Sequence, residues 1–196
     1  PPAGITYGTA LSATQLNATT SVNGSFAYSP AAGTVLGVGT HSVAVTFTPD
    51  DSANYSSATA SVPIAVAKAN PVITWANPAS ITYGTGLSGA QLNATANVLG
   101  SFVYTVPAAS ELDAGTHELS VTFTPADGAN YTTASRSVSI AIVPAALTVR
   151  ADDASKVYGQ SLPSFTASGT GFVNGDSMAS LGGTLAFAAS ATATSP

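Results

Sequence analysis

The chain has 196 residues, of which only 4 are Lys or Arg and 9 are Asp or Glu, giving 7% charged residues and a formal net charge of −5; an ordinary soluble domain carries about a quarter. The four cations, Lys68, Arg136, Arg150 and Lys156, are scattered and build no phosphate-binding patch, so nucleic acid is not an expected partner. Cysteine is absent, which removes disulfides, thiolate metal sites and cysteine nucleophiles together.

Residues 1–49 contain no Asp, Glu, Lys or Arg, and 45% of the chain is hydrophobic. A spanning helix needs about 20 predominantly apolar residues, and every stretch of that length is broken by Gly, Pro, Asn or runs of Ser and Thr. Membrane insertion is therefore not expected. The chain opens Pro1-Pro2-Ala3-Gly4, without a basic start, an apolar core or an initiating Met, and so reads as a mature fragment or an excerpt rather than as a signal peptide.

Ile5-Thr6-Tyr7-Gly8-Thr9 returns as Ile81-Thr82-Tyr83-Gly84-Thr85, and 36 of the 63 positions from 5 to 67 carry the same residue 76 positions later. A fixed period of this kind marks the duplication of one folding unit. A diverged third copy starts at Leu147-Thr148-Val149 and runs through Lys156-Val157-Tyr158-Gly159, with 158 − 83 = 75 keeping the period. The expected domains are module 1 over 1–69, module 2 over 70–144 and module 3 over 145–196. Val72-Ile73-Thr74-Trp75 opens the second copy without a counterpart in the first, and the third copy stops before any closing segment. Module 1 is thus expected to lack its first strand and module 3 its C-terminal strands.

In chain order, period-two alternation predicts strands at Phe26 and Tyr28 and at Val43, Val45 and Phe47, the latter with Ser42, Ala44 and Thr46 on the opposite face. Another is predicted at Val62, Ile64 and Val66. The second copy opens at Val72–Trp75. It continues with a strand at Leu92, Ala94 and Ala96, then Phe102, Tyr104 and Val106, then Leu119, Val121 and Phe123, then Val138, Ile140 and Ile142. Turn signals separate them: Tyr-Gly-Thr, Leu99-Gly100, Asp113-Ala114-Gly115 and Pro125-Ala126-Asp127-Gly128. Short strands at this spacing predict an all-β antiparallel sandwich. Its core is expected from Phe26, Phe47, Phe102, Phe123, Val45, Val121, Ile64 and Ile140, and Trp75 is expected to pack at the junction of modules 1 and 2.

Asp51-Ser52-Ala53-Asn54-Tyr55 and Asp127-Gly128-Ala129-Asn130-Tyr131 both fall between two strands. This is the setting of a tyrosine corner, in which a phenol anchors to nearby backbone, and it narrows the sandwich to an immunoglobulin-like one. Tyr55, Tyr131, Asp51 and Asp127 are accordingly read as structural. Together with Gln15-Leu16-Asn17-Ala18-Thr19, Gly24-Ser25-Phe26, Gly39-Thr40-His41 and Val45-Thr46-Phe47-Thr48-Pro49, these strings resemble the tandem bacterial Ig-like repeats of very large secreted and surface proteins. The third copy, with Tyr158-Gly159 and Gly171-Phe172-Val173-Asn174-Gly175-Asp176, is similar to the MBG family of the YGX type. The resemblance implies tandem Ig-like modules arranged as a rod in extracellular stalks and adhesins, with no catalytic residues.

Other residues point to little chemistry. His41 and His117 recur in a Gly-Thr-His turn, but no acid or second histidine recurs beside them, as catalysis or metal binding would need. Asp50-Asp51 and Asp152-Asp153 fall short of the six to eight oxygens calcium takes, and neither Lys68 nor Lys156 repeats as an intramolecular crosslink would require. The sequons at Asn17, Asn23, Asn54, Asn93 and Asn130 are those expected by chance in a Ser- and Thr-rich chain. No catalytic, cofactor-binding or metal residue is predicted, and no cofactor.

The function expected from the sequence is a non-catalytic structural or adhesive repeat region, a stalk or adhesin at the surface of a bacterial cell or outside it. Its partners would be neighbouring modules of the same chain, other copies of itself, or a cell-surface or matrix ligand. One alternative is a self-assembling extracellular filament subunit that exchanges strands between chains. A second is a carbohydrate-binding accessory module, which would display a planar cluster of exposed aromatics drawn from Tyr7, Tyr28, Tyr83 and Tyr104.

Overall fold

The computed structural model describes residues 2–190 and 192. In chain order the strands are β1 (Ile5–Thr6), β2 (Gly24–Ser29), β3 (Gly39–Pro49), β4 (Ala58–Ala67), β5 (Ile73–Thr74) and β6 (Ile81–Thr82). Then come β7 (Thr95–Ala96), β8 (Gly100–Tyr104), β9 (Gly115–Pro125), β10 (Ala134–Val143), β11 (Thr148–Ala151) and β12 (Ala167–Thr170), followed by one 3-10 turn at Met178–Ser180. The protein is all-β, as the alternation predicts, and consistent with a β-sandwich. The chain divides into two compact units: one of Pro1–Ala76, Ala94–Thr105 and Ser120–Ser137, the other of Asn77–Asn93, Val106–Leu119 and Val138–Pro196.

The first unit contains a sheet of order β1-β4-β3-β2. β1 lies parallel to β4, with Ile5 opposite Val66, and β4, β3 and β2 run antiparallel, with Phe26 opposite Phe47 and Tyr28 opposite Val45. Because side chains alternate across a pleated strand, one face collects Val43, Ile64, Val66 and Ile5, which bury with Leu11, Leu16 and Leu36, while Tyr7 and Tyr28 pack against them. Leu11 and Leu36 come from loops. Leu11 is held by its N–H donating to the Thr34 carbonyl at 2.9 Å and its carbonyl accepting from the Gly33 N–H at 2.8 Å.

A second four-stranded sheet has order β6-β10-β9-β8. Its pairings are those of the first shifted by 76 residues: Ile81 opposite Ile142, Phe102 opposite Phe123, Gly100 opposite Pro125. Phe26 rests on Phe47 with ring centroids 5.2 Å apart, and Phe102 on Phe123 at 4.8 Å. Glycine at 24 and 100 makes room for these rings. A Cβ at Gly100 would stand 2.5 Å from the Phe123 ring and 2.4 Å from the Thr124 carbonyl oxygen, and Gly24 is crowded in the same way by Phe47 and Thr48.

Of the core residues read from the sequence, Ile64, Ile140, Val121 and Phe123 are buried, whereas Val45, Phe26, Phe47 and Phe102 are half-buried. Phe26 and Phe102 stand on β2 and β8, the outer strands of their sheets, so one side of each ring faces solvent. The strand expected over Leu92–Ala96 shortens to β7, because the Ser88 carbonyl accepts from the Gln91 and Leu92 N–H groups at 3.0 and 2.9 Å and folds that stretch into a turn. β5 and β7 form their own two-stranded sheet, as do β11 and β12.

Candidate functional site

The most organised polar feature is the loop between β9 and β10. Asp127 accepts from the Asn130 N–H at 3.1 Å through one carboxylate oxygen and from the Asn130 side-chain amide at 2.9 Å through the other, while its carbonyl accepts from the Tyr131 N–H at 3.1 Å. An acidic side chain capping the backbone two or three residues on stabilises such a turn locally. Donation by the Asn130 amide is the chief reason that the Asp127 carboxyl titrates below its usual 3.8, with the backbone N–H groups and the Lys68 charge acting in the same direction. Asp51 and Asn54 make the same brace, at 3.2 and 2.8 Å, and Asp51 is lowered for the same leading reason.

The two loops differ in what they touch. Around the second, the Asn130 side-chain oxygen accepts from the Val38 N–H at 3.1 Å. The Ala69 N–H donates to the Asn130 carbonyl and the Thr132 N–H to the Ala69 carbonyl, both at 3.0 Å, forming a parallel bridge between Ala69 and Tyr131. The Lys68 ammonium donates to the Gly128 carbonyl, and the Tyr131 ring meets Tyr7 edge-on at 5.4 Å. Tyr131 is half-buried as a result, whereas Tyr55 is 53% exposed. The tyrosine hydroxyls that bond to backbone are Tyr28 and Tyr104, which accept from the Ala18 and Ala94 N–H groups at 2.8 and 2.9 Å. The alternation marks these two as strand residues, and the recurrence of an N-Ala pair ten residues upstream of each is the only sequence signal of the bond.

Tyr7, whose ring meets the docked loop, belongs to a Tyr7-Gly8 turn in which the Thr9 N–H donates to the Thr6 carbonyl at 3.0 Å. The turn's third residue, Gly8, has φ +90°, a backbone region that glycine enters without a Cβ clash. The second unit repeats the turn at Tyr83-Gly84, with φ +86° and Thr85 N–H to Thr82 carbonyl at 3.0 Å, and again at Tyr158-Gly159, with φ +84° and Gln160 N–H to Val157 carbonyl at 3.1 Å. Three Tyr-Gly turns of one geometry, the last beside the β11–β12 hairpin, form a recurring signature. Residues 147–195 match the MBG domain (YGX type). No curated protein matches the chain.

Within the second unit, residues 173–176 of the segment that matches the MBG domain reach a Tyr-Gly turn. The Tyr83 hydroxyl donates to Asp176 at 3.1 Å, and the Val173 side chain fills the space over Gly84. An Asn174 hydrogen bond lowers the Tyr83 pKa, but Asp176 as acceptor and as a negative charge, with some desolvation, leaves it above its usual 10.0. Tyr83, Ala114, Pro144 and Ala145 line a cleft of about 230 Å³ with Phe172 and Val173. Subtracting 76 from the first four gives Tyr7, Val38, Lys68 and Ala69, the residues that receive the 127–132 loop.

The remaining predicted positions are engaged structurally. Trp75 is 2% exposed, its ring meets Tyr104 at 5.3 Å, and its carbonyl accepts from Arg136 Nε at 3.0 Å. His41 and His117 each bond through Nε2 to a carbonyl four residues back, Gly37 and Asp113, at 2.7 Å. A carbonyl only accepts, so Nε2 carries the proton. Tyr7, Tyr28, Tyr83 and Tyr104 are all half-buried. Among the described residues no group of three or more His, Asp or Glu is placed to hold a metal ion, and no helix is long and apolar enough to cross a membrane. The MBG domain is compatible with a repeat module of a surface protein and with a structural or adhesive role.

Proposed function

We propose that the chain is a non-catalytic structural or adhesive repeat region of a secreted or cell-surface protein. It is built of tandem Ig-like β-sandwich modules over 1–69, 70–144 and 145–196 that run as a rod. Its partners are its own neighbouring modules and a cell-surface or matrix ligand, without nucleic acid, cofactor or membrane insertion. The observation that carries this reading is the braced loop 127–132 held by Val38, Lys68 and Ala69 and by the Tyr7 ring. A repeat region that holds a distal group away from a surface needs stiff joints more than it needs a pocket, and a short linker, Lys68-Ala69-Asn70-Pro71, reinforced by a hydrogen-bonded loop supplies one. The MBG match at 147–195 and the matching use of Tyr83 support the same plan.

The test is Asn130→Ala. It removes the acceptor for Val38 and the donor to Asp127, two bonds worth about 0.5–1.5 kcal/mol each. Amide exchange at Val38 and Ala69 should accelerate about tenfold or more, and X-ray scattering should report a broader distribution of particle lengths. Asn54→Ala should leave both unchanged. Equal effects from the two substitutions would sink the reading of the second loop as a joint.

A further inference from the structure

The turn that reaches Tyr83 carries a reactive dipeptide. Two of the nine asparagines precede glycine, at Asn23-Gly24 and Asn174-Gly175. With no Cβ on the following residue, its backbone nitrogen can swing onto the carbonyl carbon of the asparagine side chain. The two sites differ in how the chain holds them. Gly24 opens β2 against the Phe47 ring and the Thr48 carbonyl, and the Asn23 carbonyl accepts from the Asp50 N–H at 3.1 Å, so the first pair is fixed at a strand end. Asn174 and Gly175 instead occupy the two central positions of a turn closed by the Asp176 N–H donating to the Val173 carbonyl at 2.9 Å. Both have positive φ, +56° and +77°, as in a type I′ turn. Asn174 is exposed, nothing stands within 4 Å of where a Gly175 Cβ would lie, and no acceptor among the described residues takes the Gly175 N–H.

We infer that Asn174-Gly175 is a self-modification site, whose conversion to aspartate or isoaspartate releases residues 173–176 from the Tyr83-Gly84 turn. The Gly175 nitrogen attacks Cγ of Asn174. The N–Cγ bond forms as the Cγ–Nδ2 bond breaks, and Nδ2 leaves as ammonia with the proton lost from the Gly175 nitrogen. Water then opens the cyclic imide at either carbonyl: its oxygen joins a carboxyl group, one proton returns to the Gly175 nitrogen, and the other is shed as the carboxyl ionises. Water is consumed, ammonia is released, and nothing is oxidised or reduced. The product undoes the contact because of its donors. The Tyr83 hydroxyl has one proton, which it gives to Asp176 at 3.1 Å, so the Asn174 amide serves the same hydroxyl as a donor to its oxygen. A carboxylate at 174 cannot donate, and it meets Asp176 with like charge. The isoaspartate product also lengthens the backbone at the second residue of the turn. None of this rests on reading the chain as a surface repeat region, and it is independent of the joint tested by Asn130→Ala.

In the test, the full chain is held in mildly alkaline buffer, digested at intervals and followed by mass spectrometry for the amide-to-acid mass gain at Asn174 and at Asn23, with enzymatic detection of isoaspartate as a second readout. Asn174 should convert several-fold faster than Asn23. Asn174→Asp, one of the two products made directly, should speed exchange of the Asp176 amide about fivefold, as for one hydrogen bond lost, and shift the Tyr83 ring resonances. Asn174→Gly keeps a residue suited to positive φ, cannot convert and adds no charge, so it should speed exchange less. The aged chain, separated from its parent by anion exchange on the added charge, should behave as Asn174→Asp does, and it answers the same question if that variant fails to fold. Conversion at Asn174 no faster than at Asn23, or exchange at Asp176 that is no faster in the converted chain than in the parent or in Asn174→Gly, would each overturn the proposal.

Discussion

At Gly100 the side chain is excluded by the Phe123 ring that covers the backbone, and the same holds at Gly24 beneath Phe47. Gly100→Ala must push that ring aside in a packed strand pair, a change of the overpacking kind that costs about 1–3 kcal/mol. Urea unfolding should show it as a lower midpoint at constant slope, while Gly128→Ala, with nothing near its Cβ, should not. Asp127 makes a second prediction. Its folded pKa lies below 3.8, led by the Asn130 amide, so the carboxylate's contribution to the loop is fully present above that value and is lost as pH falls through the depressed one. Carboxyl NMR should give midpoints below 3.8 for Asp127 and Asp51, and protection of the Ala69 amide should fall along with the Asp127 titration. A midpoint at or above 3.8 would mean that the Asn130 amide does not brace the carboxylate.

At the scale of elements, the opening strand carries more packing than its two paired residues suggest. Trp75 is nearly fully enclosed, and large aromatic to alanine changes in cores cost about 3–5 kcal/mol. Trp75→Ala should therefore lower stability by that order in thermal or urea unfolding, and a loss below about 1 kcal/mol would mean that Tyr104 and its neighbours close over the gap. The period-two alternation made the long strands β3, β4, β9 and β10 legible from sequence, because each buries one face and local pattern suffices. The shortened strand at Thr95–Ala96 was not legible, since the turn at Ser88 that consumes Gln91 and Leu92 depends on backbone hydrogen bonds that alternation does not encode. The D-x-A-N-Y strings were visible as a repeated loop. Nothing in either string says that one docks and the other is exposed, because the partners of the second loop, Tyr7, Val38, Lys68 and Ala69, lie far from it in sequence.

For the whole molecule, the sparse charge constrains what holds the fold together. Thirteen charged residues are spread over 196, and the Arg150–Asp153 ion pair spans 3.6 Å between side chains that are 76% and 98% exposed. Pairs of that kind contribute about 0–1 kcal/mol, and salt weakens them further. The buried set is instead wholly apolar, and no buried polar or charged residue occurs among the described residues. Stability should consequently rest on burial and backbone ladders, which sodium chloride barely perturbs, so the melting temperature should move by no more than about 2–3 °C, the shift of roughly half a kcal/mol, between about 0.05 and 0.5 M salt. A steep fall over that range would require a charge network that this chain has too few residues to build. Weak salt dependence is compatible with the proposed repeat region outside the cell, where ionic strength is set by the surroundings, and at the docked loop the Lys68 bond to the Gly128 carbonyl adds a positive charge beside the Asp127 carboxylate. Lys68→Met, tested across the same salt range, should lower protection at Ala69 modestly while leaving the salt response of global unfolding flat.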